Sequence, residues 1–135
     1  MSAATQARNT PRRDAHRVGH PSNPGTALHA GTLIALLATN GNAVPAGTAG
    51  SGDAVGVALR SVAGTSAGEP VECERGTGFR FDNSAGADAI ARADIGATAY
   101  IVDDQTVAKT DNSGARKRAG VVLDVDAAGV WIVVG

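Results

Sequence analysis

The sequence predicts a mainly β protein: a small β-barrel or β-sandwich with one short helix and an extended N-terminal arm. Apolar residues recur with a period of two in several segments, and no segment carries a long helical stripe. The chain's 18 glycines and 5 prolines supply turn signals between those segments. Its 135 residues suit one domain plus a tail. Ala and Val supply most of the 43% apolar content, and Phe79, Phe81, Tyr100 and Trp131 are the only aromatics. Small apolar side chains stabilise less per residue than Leu or Phe. The core is therefore thin, and association with a partner or with further copies would supplement it.

Residues 1–31 read as an extended basic arm, with Pro11, Pro21 and Pro24 and little apolar periodicity. Arg8, Arg12, Arg13 and Arg17 outnumber the single Asp14 there, while the remainder of the chain is acidic. Such a tail is ordinarily solvated; its sharper meaning is an arm that orders against an acidic partner. The domain is expected over 32–135. Thr32–Thr39 is a short apolar run flanked by glycines, which predicts a buried strand. Residues 40–53 read as a long loop. In Ala54–Arg60, Val55, Val57 and Leu59 alternate with smaller residues, as in a half-buried strand.

Residues 69–83 alternate further, with Val71, Cys73, Phe79 and Phe81 on one parity. Two arrangements fit: a hairpin turning at Gly76-Thr77-Gly78, or one strand bent at the glycines. Residues 87–95 predict the short helix, with Asp88 capping its start and Gly96 ending it. Thr98–Val102 and Thr106–Lys109 read as strands, followed by a polar loop over Thr110–Arg118. The last element is a hairpin about Asp126-Ala127-Ala128-Gly129, a type I turn sequence. Its register would set Val125 opposite Val130, Leu123 opposite Ile132 and Val121 opposite Val134. The other face would carry Val122, Trp131 and Val133 and need a cover of its own.

Enzymatic chemistry has no footing in this pattern, and neither a cofactor nor a metal is expected. All three histidines, His16, His20 and His29, fall in the arm. Cys73, the only cysteine, sits on an apolar parity as a plain buried residue and excludes an intramolecular disulfide. The spacing of His16 and His20 would suit two ligands on a helix, but Pro11, Gly19 and Pro21 argue against a helix there. The Asp-rich loops at 103–104 and 111–112 lack calcium-loop spacing. No apolar run approaches the ~20 residues of a membrane span, and the start lacks a signal-peptide pattern, so a soluble chain made in a reducing cytoplasm is expected. Arg116, Lys117 and Arg118 form a local positive patch, suited to a salt-sensitive contact with an acidic protein surface. Aromatic platforms for nucleic acid are missing beside it.

A family resemblance rests on the order of several segments: Asp53 to Leu59, Ser66 to Val71, Phe79 to Phe81, Ala93 to Asp103, Val107 to Thr110, and Arg118 to Val122 before the last hairpin. Together they resemble the capsid decoration (cement, head-stabilising) proteins of tailed bacteriophages and prophages. The likeness spans residues 32–135 and is most specific from Asp94 to Asp111. It implies a structural virion protein made in the bacterial host cytoplasm. That protein would sit on the outer surface of the mature head, bound to the major capsid protein, as a homo-oligomer with a trimer favoured. Neither nucleic acid nor membrane is an expected partner. Arg8, Arg12, Arg13, Arg17, Arg116, Lys117, Arg118 and Trp131 are the candidate contact residues. The competing reading is a ligand-binding module for carbohydrate or adhesion on a virion or cell surface.

Overall fold

A computed structural model describes residues 2–135. These residues form ten strands and two 3-10 turns, arranged as an open sheet and a barrel. Strands β1 (Arg17–Pro21), β2 (Leu33–Leu37), β3 (Ala43–Pro45), β4 (Ser51–Ala58) and β5 (Pro70–Glu74) make a sheet of order β1-β5-β4-β2-β3. Strands β6 (Gly78–Asn83), β7 (Thr98–Ile101), β8 (Thr106–Ala108), β9 (Arg118–Asp126) and β10 (Gly129–Val134) close a barrel of order β10-β6-β8-β7-β9. Closure removes free strand edges from that half. The open sheet curls toward closure as well: Ser22 bridges Ala43, and the Asn23 amide donates to the Ala43 carbonyl at 2.9 Å.

The arm is shorter than the expected 1–31. Residues 17–21 are strand β1, in register with β5 from Arg17 opposite Glu74 to Pro21 opposite Pro70. Ser22 and Leu28 beyond it are buried. The pairing is non-local, so the local polarity of 17–31 gave no sign of it. Strand β3 likewise emerges inside the expected loop 40–53, paired with β2.

Strand β2 is interior to the sheet, between β4 and β3, and both of its faces are covered. Leu33 and Ala35 join a core shared with the barrel, including Phe81, Ile101, Val122 and Ile132. Ile34 and Leu36 join a second core with Leu28, Val62, Val71 and Cys73. Unbroken apolarity is what a strand buried on both faces requires. Strand β4 departs from the expected alternation. Ile34 pairs with Gly56 and Ala35 with Ala54, which leaves Val55 as a bulge. A bulge resets parity, so Ala54 and Val57 face one core while Val55 and Ala58 face the other.

Residues 69–83 are not a hairpin. Strand β5 pairs with β1 and β4, and β6 with β10 and β8. The chain bends at Arg75–Thr77 to pass from the sheet into the barrel. Both ends of the fold are tied to this bend: the Arg75 amide donates to the His16 carbonyl at 2.8 Å, and the Gly76 amide to the Val134 carbonyl at 2.7 Å.

The expected helix at 87–95 is two separate 3-10 turns, Gly86–Asp88 and Arg92–Asp94. The interruption has a cause. Asn83 clamps Ile90, accepting from its amide at 2.9 Å and donating to its carbonyl at 2.8 Å. Those two backbone groups are then lost to a helical ladder, and Ile90 is buried in the barrel core. Asp88 does not cap a helix start; its carboxylate takes the Thr110 hydroxyl and Arg116 instead. At the end of the second turn Gly96 does adopt φ +91°, a conformation favourable only to glycine.

The last hairpin turns where expected, with Asp126 Oδ1 accepting from the Ala128 and Gly129 amides at 2.8 and 3.1 Å. Its register then slips. Trp131 pairs with Asp124 but Ile132 pairs with Val122, so Leu123 is bulged out. Val122 consequently lies in the core, and Leu123 is 53% exposed. The apolar face expected from Leu123 and Val121 is supplied by Val122 and Ala119.

Candidate functional site

The groups that could have carried catalysis are dispersed. Cys73 is buried between Val18 of β1 and Ala58 of β4, its partners in register. Burial, with Glu72 nearby, pushes its thiol up to about 11, so it is a poor nucleophile at neutral pH. His16 is exposed and bonded to Asp14 Oδ1 at 2.8 Å. Among the described residues, no three His, Cys, Asp or Glu side chains converge as a metal site. Asp103 serves its own turn, accepting from the Gln105 amide at 2.9 Å. Among the described residues, no helix is long and apolar enough to cross a membrane.

The arm is the most distinctive surface feature. Every residue from 2 to 17 is exposed, and Arg8, Arg12 and Arg13 make no ion pair among the described residues. Arg17 is the exception to the arm assignment, because its backbone belongs to β1. The arm thus leaves the body beside the β5–β6 bend, where the chain's C-terminal strand also ends.

Trp131 has cover from its own chain. Its indole Nε1 donates to Asp126 Oδ2 at 2.9 Å, and the Arg80 guanidinium lies 5.8 Å from the ring centroid. That bond, with the Ala128 amide, holds the Asp126 carboxyl below its ordinary range. The ring is half-buried, and the neighbouring apolar side chain most open to solvent is Leu123.

The cations at 116–118 divide. Arg118 begins β9 and its amide donates to Asp53 Oδ1 at 2.9 Å, fastening the barrel to β4. Arg116 is held by the Thr110 carbonyl at 3.1 Å and by Asp88 at 3.3 Å. The Thr110 hydroxyl and Arg116 together keep the Asp88 carboxyl low. Lys117 is exposed and forms no ion pair among the described residues. Arg116 and Lys117 form one wall of a cleft of about 200 Å³, partly open to solvent; the others are Gly47–Ser51 and Ile101–Val102. The loop residues 47–51 carried no sequence signal for this role, since their partners lie far along the chain.

No protein-family model, curated protein or solved structure matches this chain.

Strand β1 also carries a titratable group. Burial, then the charge of Arg13, holds His20 below its usual 6.5. Between that lowered value and 6.5 the unfolded chain binds more protons than the folded one, so stability rises with pH through this window. It is complete above about pH 6.5 and falls as the pH drops below it. His20→Gln is expected to flatten the melting temperature as the pH falls below about 6.5, while losses at lower pH, from the carboxyls of Asp88 and Asp126, persist. An unchanged slope in the variant would assign the pH dependence elsewhere.

Proposed function

We propose that this chain is a structural decoration protein of a tailed-bacteriophage head, binding the outer surface of the mature shell and stabilising the lattice of the major capsid protein. The observation that carries this reading is a fully exposed arginine-bearing arm on a body made of a β-sheet and a closed β-barrel. The segment resemblance over residues 32–135 supports it. Such a protein works through surfaces and needs no converging acid–base set. A ligand that binds only the assembled lattice stabilises it by mass action, and many copies bridging several subunits gain from multivalency. The oligomer in best accord with the resemblance is a trimer, and no cofactor has a role in the scheme. Residues Arg8, Arg12 and Arg13 offer forked donors for carboxylates of neighbouring subunits. The carbohydrate alternative is the weaker one, since Arg80 already lies over the Trp131 ring.

The test is co-sedimentation of the purified chain with undecorated mature heads of tailed bacteriophages. Saturable binding to heads, with a rise in their disruption temperature and no binding to free capsid subunits, is expected. Removing residues 2–13 should weaken that binding and lower its salt sensitivity, since charge attraction is screened by salt. Heads that fail to retain the chain would overturn the reading.

A further inference from the structure

We propose that the cleft between Gly47–Ser51, Ile101–Val102 and Ala115–Lys117 seats a glutamate or aspartate side chain presented by an acidic protein partner. The inference specifies one contact within the function proposed above and rests on that reading only for the partner's identity. Among the described residues, the only charged ones lining the cleft are Arg116 and Lys117; Asp88 offsets Arg116, so Lys117 leaves the lining positive in a chain whose net charge is −1. Arg116 is already oriented by Asp88 and the Thr110 carbonyl. A guanidinium has five N–H donors, so further bonds remain open to it. Lys117 brings a second, unpaired charge.

The walls are fixed before any ligand arrives. Ser51 Oγ donates to the Thr48 carbonyl and Thr48 Oγ1 to the Pro45 carbonyl, both at 2.6 Å. Gly47 has φ +90°, and a Cβ there would meet Asp103 Cα and the Val102 carbonyl oxygen at 3.3 Å. On the opposite wall the Ile101 amide donates to the Lys117 carbonyl at 2.8 Å. A preformed site spends less free energy on ordering when it binds.

Size and lining select the kind of anion. A volume of about 200 Å³ falls below the ~300–1,000 Å³ of small-molecule pockets. It suits one side chain. Ala49, Ile101, Val102 and Ala115 offer apolar contact to the methylenes behind a carboxylate. The open side leaves room for the backbone that delivers it.

The experiment uses the free chain without shells, so its outcome is separate from that of the head-binding test. Backbone amide NMR shifts of residues 47–51 and 115–117 are followed against N-acetyl-glutamate N-methylamide, the matching glutamine compound and inorganic phosphate. The glutamate compound is expected to shift these amides and the glutamine compound to leave them in place. Lys117→Ala, a change at an exposed position, should weaken binding about threefold or more. Three results would overturn the proposal: no shift with glutamate, equal shifts with glutamine, or stronger binding of phosphate at the same amides, which would make the cleft a site for free small anions. Glutamate binding that is unchanged in Lys117→Ala counts against it too.

Discussion

Gly120→Ala is expected to lower the melting temperature by roughly 10 °C, through a loss of at least about 3 kcal/mol. Gly120 lies in β9 opposite Val134 of β10. A Cβ there would stand 2.2 Å from the Val133 carbonyl oxygen and 2.7 Å from Ile132 Cγ2. The nearer obstacle is backbone, so no rotamer change relieves it. The strands must separate at the seam that closes the barrel, and Ile132 and Val134 must leave their places in the core. Gly52→Ala in β4 is the control, because nothing lies within 4 Å of its Cβ position and its φ is not positive. That variant should melt close to wild type. If Gly120→Ala melts within about 2 °C of wild type, the close approach of β9 to β10 is not what holds the barrel shut.

The second large effect concerns the N-terminus. Deleting residues 2–13 should leave thermal stability unchanged, because those residues are exposed throughout. Deleting residues 1–25 should cost roughly 10 °C or more, or prevent folding. The longer deletion removes β1 and the bridge from Ser22 to Ala43. It uncovers β5, whose Val71 and Cys73 side chains are fully buried, and leaves an unpaired strand edge open to aggregation. Equal melting of the two truncations would mean that β1 adds little to the sheet. The contrast also governs any test of shell binding. A chain cut at residue 25 would lose affinity through a damaged sheet, whereas one cut at residue 13 reports on the arm alone.

Much of the fold was legible because it is local. The apolar run at Leu33–Leu37, the strand pair around Asp103-Asp104-Gln105 and the turn at Asp126–Gly129 declare themselves through period and turn chemistry within a few residues. The arginines of the arm were legible as charge, as were Arg116 and Lys117. Composition likewise anticipated a core built from Val and Ala.

What the tertiary structure alone decided is non-local. Strands β1 and β3 carry little apolar signal of their own, and each exists because a distant strand completes its hydrogen bonds. The bulges at Val55 and Leu123 invert parity beyond them, and a one-residue slip exchanges the two faces of a strand. Residues 87–95 have helical composition, yet two hydrogen bonds between the Asn83 side chain and the Ile90 backbone cut the helix in two. The cleft is the same case at the level of the site. Its cations stood in the sequence, but the wall opposite them comes from a loop more than sixty residues earlier. Only the docking of the sheet against the barrel, driven by burial of their shared core, brings the two together.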